Sequence, residues 1–167
     1  MLRQRLLSRL RALALGGLGL VAISAGAEEL RLVVIVNKAR PESNLTTRAL
    51  EKILLGESKF WENGDQIKVL MPPASASERA RQKLFATLLK TDPRDFGHQW
   101  QGLVFRGEHS QAPLVLNDER AVAQAVFVSL KALGIIEADK VSKLAEVVKV
   151  LTLDGKALDD PGYVFKW

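Results

Sequence analysis

The sequence predicts an α/β fold, a three-layer sandwich of helices around a mixed β-sheet. Three observations carry that reading. Short β-branched runs, Leu32-Val33-Val34-Ile35-Val36 first among them, end in polar residues and proline, as strands covered on both faces do. Helical patterns with one apolar face and their own caps lie between the runs. The two signals alternate along the chain, which places helices against a sheet.

Residues 1–27 stand apart from this pattern. Arg3, Arg5, Arg9 and Arg11 precede an apolar stretch from Ala12 to Ile23, and Ala25-Gly26-Ala27 supplies the small-x-small site that a signal peptidase cleaves. The stretch falls short of the roughly 20 residues that a spanning helix needs. Residues 1–27 therefore read as a signal peptide and 28–167 as one periplasmic domain, with no membrane insertion after cleavage. An uncleaved anchor is the competing reading. The whole chain carries 24 basic and 19 acidic residues, but the leader takes four arginines and no acid, leaving 20 against 19. The basic excess thus gives no argument for nucleic acid as a partner. Cysteine is absent, which excludes disulfides, thiol catalysis, cysteine-bound metal and a lipoprotein anchor.

In chain order, the strand Leu32–Val36 breaks at Asn37-Lys38-Ala39-Arg40-Pro41. Thr46 or Thr47 can cap a helix that buries Leu50, Ile53 and Leu54 and stops at Gly56. Phe60 and Trp61 flank apolar elements and read as core, with Trp61 sealing the end of that helix. After the Asn63-Gly64 turn, Ile67-Lys68-Val69 alternates as a second strand, stopped by Met71-Pro72-Pro73. Ser77 is placed to cap a helix from Glu78 to about Lys90 that buries Leu84, Phe85, Leu88 and Leu89. Asp92 caps the next, with Pro93 in its first turn and Phe96, Trp100 and Leu103 on one face. Arg106 to Gln111 reads as an exposed loop, and 113–116 as a short extended piece. Asn117 or Asp118 caps a helix whose apolar set is Ala121, Val122, Ala125, Val126 and Leu130. Gly134-Ile135-Ile136 is a buried strand, Ala138 to Val141 a helical turn, and Val147 to Leu153 a last strand closed by Asp154-Gly155.

Few residues suit catalysis. His98 and His109 are the only histidines, they show no metal-ligand spacing, and both read as surface or half-buried groups. No nucleophile elbow or phosphate-cradling glycine loop is present. The sequence points to a binding protein rather than an enzyme, with no cofactor and no metal. One constellation has a physical reason to hold a ligand. Ser75-Ala76-Ser77-Glu78-Arg79 begins a helix, where unpaired N–H groups, two hydroxyls and a guanidinium suit a small oxyanion. The same residues also read as ordinary helix-start grammar. Asn37 and Lys38, just after the first strand, complete the candidate ligand-binding set.

A family resemblance runs through these residues. Val36-Asn37, Asn44-Leu45-Thr46, Ile53-Leu54-Leu55-Gly56, Trp61 and Asn63-Gly64 resemble a segment of the phosphate-type ABC transporter periplasmic substrate-binding proteins, which reads V-N, L-T, I-F-x-G and W-x-D-G there. Ser75-Ala76-Ser77 falls where that family has Ser-Gly-Thr at a helix start. Leu130 to Ile136 is similar to its P-G-A-I-G-Y-V, with the Pro-Gly and the Tyr lost. The resemblance implies one lobe of a type II periplasmic binding protein, phosphate or another small oxyanion as ligand, and a membrane transporter or sensor as protein partner. Clamshells of this family close two lobes on the anion, and residues 28–167 match the second half alone. Binding is then weak, or a partner supplies the second face. The alternative is a ligand-free periplasmic protein–protein interaction module that kept the fold, which the degenerate glycine motifs favour.

Overall fold

The computed structural model describes residues 29–75, 78–141 and 146–167. Its strands are β1 (Leu32–Asn37), β2 (Asn44–Leu45), β3 (Lys68–Met71), β4 (Leu114–Val115), β5 (Ala132–Glu137), β6 (Val148–Val150) and β7 (Thr152–Leu153). The helices are α1 (Thr47–Leu54), α2 (Glu78–Leu84), α3 (Pro93–Phe105), α4 (Glu119–Phe127) and the single turn α5 (Ala138–Val141). The main sheet has the order β4-β3-β5-β1-β6. β3 runs parallel to both β4 and β5, whereas β1 is antiparallel to β5 and β6. It is the mixed sheet that the alternation of strands and helices predicts.

Each central strand is buried on both faces, which explains its uninterrupted apolar sequence. Leu32, Val34 and Val36 of β1, with Val69, Met71, Leu133 and Ile135, pack against α1, α2 and α3. Val33 and Ile35, with Leu70, Ala132 and Ile136, pack against Val122, Ala123 and Val126 of α4. Gly134 is needed where α4 lies closest to the sheet: a Cβ there would meet Val122 Cγ1 at 2.8 Å and Ile35 Cγ1 at 2.9 Å. The helix starts follow their caps. Thr46 accepts from Ala49 N at 3.0 Å, Asp92 from Arg94 N and Asp95 N, and Asp118 from Ala121 N at 2.7 Å.

Several expectations are corrected. Trp100, not Trp61, covers the end of α1: its Nε1 donates to Leu54 O at 2.8 Å, while Gln99 Nε2 donates to Leu55 O. His109 is buried rather than at the surface, and its Nε2 lies 2.7 Å from Gly56 O, so that nitrogen carries the proton. Gly56 must be glycine, because φ is +77° and a Cβ would stand 2.6 Å from Leu103 Cδ1. Trp61 is buried as expected, but its Nε1 reaches Lys131 O at 3.1 Å instead. Phe60 is 58 % exposed and belongs to no core. Leu130 is exposed as well, since α4 stops at Phe127. The helix expected through Lys90 widens to a π turn at Phe85–Leu89 and ends with Lys90 in the left-handed region.

The run Val147–Leu153 is not one strand. Val148–Val150 pair with β1, and after buried Leu151 the chain turns so that Thr152 and Leu153 pair with β2. Thr152 Oγ1 donates to Asn44 Oδ1 at 2.8 Å, and Asp154 accepts from Thr47 N at 2.9 Å, tying this small sheet to the start of α1. The tail returns beside the entry of β1. Leu30 and Trp167 exchange both backbone bonds, and Leu32 N donates to Phe165 O.

Candidate functional site

Strand direction decides which sequence candidates meet. β3 and β5 both end at the edge where β1 begins, and ligands of open α/β sheets bind outside carboxyl ends of strands. At this edge the chain leaves β3 through Pro72-Pro73, passes exposed Ser75, and enters α2 with Arg79 in its first turn. Ser77, the expected cap, lies outside the described residues.

A pocket of about 340 Å³ opens here. Its charged lining is Glu29 and Arg31 from the entry to β1, Arg79 from α2, and Glu137, Asp139 and Lys140 from the end of β5 and α5. Arg31 is divided between Glu29 at 3.8 Å and Asp159 at 3.4 Å, and Glu29 also pairs with Lys166. Lys140 pairs with Asp139, whose hydrogen bond and charge hold the ammonium's pKa above its ordinary value, with Glu119 and Glu137 adding to the field. Arg79 makes no ion pair among the described residues. Ser75 sits in the adjoining loop and does not line the pocket. Arg81, two residues beyond Arg79, turns inward: its guanidinium lies over Phe85 and donates to Pro72 O at 3.4 Å, and burial lowers its pKa.

Asn37 and Lys38 do not join this group. The register pairs Leu32 with Glu137 and Val36 with Leu133, so Asn37 stands five strand residues away, about 17 Å along β1. There Asn37 Nδ2 donates to Phe127 O and its Oδ1 accepts from Ala39 N, which uses the side chain for loop structure. Lys38 Nζ reaches Glu146 O at 3.4 Å. Of the described candidates, Ser75 and Arg79 stand at one edge and Asn37 and Lys38 at the other. Nearby Arg40 is also structural. It is buried, forms a two-point pair with Glu42, lies 4.3 Å from the Trp61 ring centroid and donates to Leu130 O. The Glu42 carboxyl is raised by burial, but the Arg40 hydrogen bond and charge outweigh this and leave its pKa below the ordinary value.

No protein-family model and no curated protein sequence matches the chain. Solved structures do. An ABC-type phosphate transport receptor from Vibrio cholerae aligns over 78 % of this chain and 48 % of its own, with a TM-score of 0.56 and 20 % identity. PstS from Borrelia burgdorferi aligns over 83 % and 55 %, with a TM-score of 0.63 and 15 % identity. A protein from Clostridium perfringens, described as a phosphate ABC transporter substrate-binding protein and solved with bound phosphate, aligns over 78 % and 47 % at 0.59 and 15 %. The fold is that of part of a phosphate-binding protein, about one lobe. The chain spans about half the length of the structures it matches, and such identities establish the fold alone. Sequence reasoning missed Arg31, Glu137 and Lys140. Each flanks a strand end, but only strand adjacency, which a single sequence does not display, shows that they meet.

Proposed function

We propose that this chain is a periplasmic solute-binding-like protein that takes phosphate or another small oxyanion at the carboxyl edge of its sheet. Ser75, Ser77 and Arg79 are the proposed contacts, and a membrane transporter or sensor is the proposed partner. It is a binding protein rather than an enzyme. The observation that carries the reading is the pocket beside Arg79, a cation without an ion pair among the described residues, at the edge where sheets of this class bind ligands. The likeness to part of several phosphate-binding proteins supports it. One lobe by itself is expected to hold the anion in the millimolar range, about 4 kcal/mol. A cleavable leader at 1–27 is the proposed route of export; among the described residues no helix is long and apolar enough to cross a membrane.

The test is thermal unfolding in phosphate against chloride at matched ionic strength, because salts also raise stability non-specifically. Saturable stabilisation by phosphate is expected, about 2.7 kcal/mol at a hundredfold excess over Kd, and Arg79→Ala removes it. Superimposed phosphate and chloride curves reject the oxyanion and leave the interaction-module reading, which the degenerate glycine motifs favour.

A further inference from the structure

We infer that Arg31 is a second cationic contact of the oxyanion pocket, and that the Asp159 carboxylate stands in for the ligand on it, an autoinhibitory contact that lowers anion affinity. The inference rests on the oxyanion reading above and deepens it, adding a binding residue and a means of regulation.

The backbone of Arg31 is fixed beside the pocket. Arg31 forms an antiparallel bridge with Lys166 of the returning tail, and its carbonyl accepts from Ala138 N at 2.9 Å, at the start of α5. It lines the pocket together with Arg79. A sphere of the pocket's volume is about 9 Å across, so two guanidinium groups on its wall can close on one tetrahedral anion. The side chain is held less firmly than the backbone. Nη1 donates to Asp159 Oδ1 over a long 3.4 Å, and Glu29 Oε2 stands 3.8 Å from Nε. Glu29 is nearer to Lys166, at 3.1 Å. Neither contact is the two-point fork that buried Arg40 makes with Glu42.

Asp159 is placed as a competitor rather than a strut. Its side chain is 94 % exposed, so water readily replaces Arg31 around it, and ion pairs of this kind are weak. The turn that carries it is tied by the next residue: Asp160 Oδ2 accepts from Ala157 N at 2.6 Å, and Asp160 N donates to Ala157 O. The turn therefore does not depend on the Asp159 carboxylate. That carboxylate offers Arg31 the same kind of anionic oxygen as a phosphoryl group does. A ligand that takes Arg31 must displace it, and apparent affinity is scaled down to the fraction of molecules in which the pair is open.

The experiment is calorimetric titration of the purified protein with inorganic phosphate, against chloride at the same ionic strength. It compares the wild type, Asp159→Asn, Arg31→Gln and the double variant. Asp159→Asn should bind phosphate about threefold tighter, the yield of releasing one exposed ion pair, and Arg31→Gln about threefold weaker. The double variant should match Arg31→Gln, because a carboxylate that acts only through space would be missed equally with or without Arg31. In the wild type, the Arg31 Nε–H resonance should move along the phosphate titration with the midpoint of the heats, a readout that does not depend on a variant folding. An unchanged affinity in Asp159→Asn, an equal gain in both backgrounds, or an Arg31 resonance that stays in place while the heats saturate overturns the inference and leaves the oxyanion reading standing. Phosphate heats indistinguishable from chloride in both the wild type and Asp159→Asn overturn both.

Discussion

At the amino end of β5, side-chain donors reach inward to the backbone: Asn37 to Phe127 O, Arg40 to Leu130 O, and Trp61 to Lys131 O. The loop they hold presents Phe127, Val128 and Leu130 outward, yet its carbonyls are satisfied from beneath. At the carboxyl end of the same strand the polar side chains face one another across a cavity, and Arg79 has no ion pair among the described residues. Polar groups at one edge complete the fold. Those at the other line an open cavity. Charge alone does not mark a site; what decides is whether the charge has already been matched by the protein's own backbone and acids.

Variants at the two edges should therefore separate stability from binding. The largest effect is expected for Trp61→Ala, a loss of about 3–5 kcal/mol, chiefly from the cavity left by the ring, since Lys131 O keeps its bond from Lys68 N; it is read as a lower urea midpoint. An unchanged midpoint would dissolve the contrast at its strongest point. Arg40→Met should cost about 3 kcal/mol, because it strands the Glu42 carboxylate in a covered position. The same pair gives a pH signature. The Glu42 pKa is depressed below its ordinary 4.5, so its contribution is full above that value and disappears as pH falls through the depressed one. Unfolding curves measured down the acid limb should steepen there, and Glu42→Gln should flatten that part of the slope.

Asn37→Ala should cost about 1–2 kcal/mol through lost loop bonds, with phosphate affinity unchanged. A loss of affinity without a loss of stability would return Asn37 to the ligand set. The smallest stability effect, within about 0.5 kcal/mol, is expected for Arg79→Ala, since the side chain is exposed and makes no ion pair among the described residues. The proposed leader is checked by intact mass: cleavage predicts a chain beginning at Glu28, and a mass that still includes Met1 to Ala27 would indicate an anchor.

Much of the fold was legible because local rules sufficed. Thr46, Asp92 and Asp118 cap where hydroxyls and carboxylates before apolar periods predict, and the strand at Leu32–Val36 reads from β-branching alone. What escaped was non-local. Phe60 and Trp61 are neighbours of equal apolarity, and only the position of Lys131 O and Arg40 decides that one is buried and the other exposed. His109 looks like loop punctuation until Gly56, 53 residues earlier, is brought to it. The site divides in the same way. Arg79, after a proline-stopped strand, comes to the pocket lining, whereas Asn37 lies at the opposite edge and bonds Phe127 O; a polar residue after a strand looks alike in sequence whether it faces a cavity or a carbonyl.

The tail pairing at Leu30 and Trp167 has a mechanical meaning. The two chain segments run antiparallel with their ends together, so tension between Glu29 and Trp167 loads the bonded pairs one at a time, as a zipper is opened. β1 itself is flanked by β5 and β6 and would have to be sheared from both. The seam that yields first is the stretch that carries Glu29 and Arg31 into the pocket wall. A pull on the ends would therefore dismantle the pocket before it disturbed the sheet.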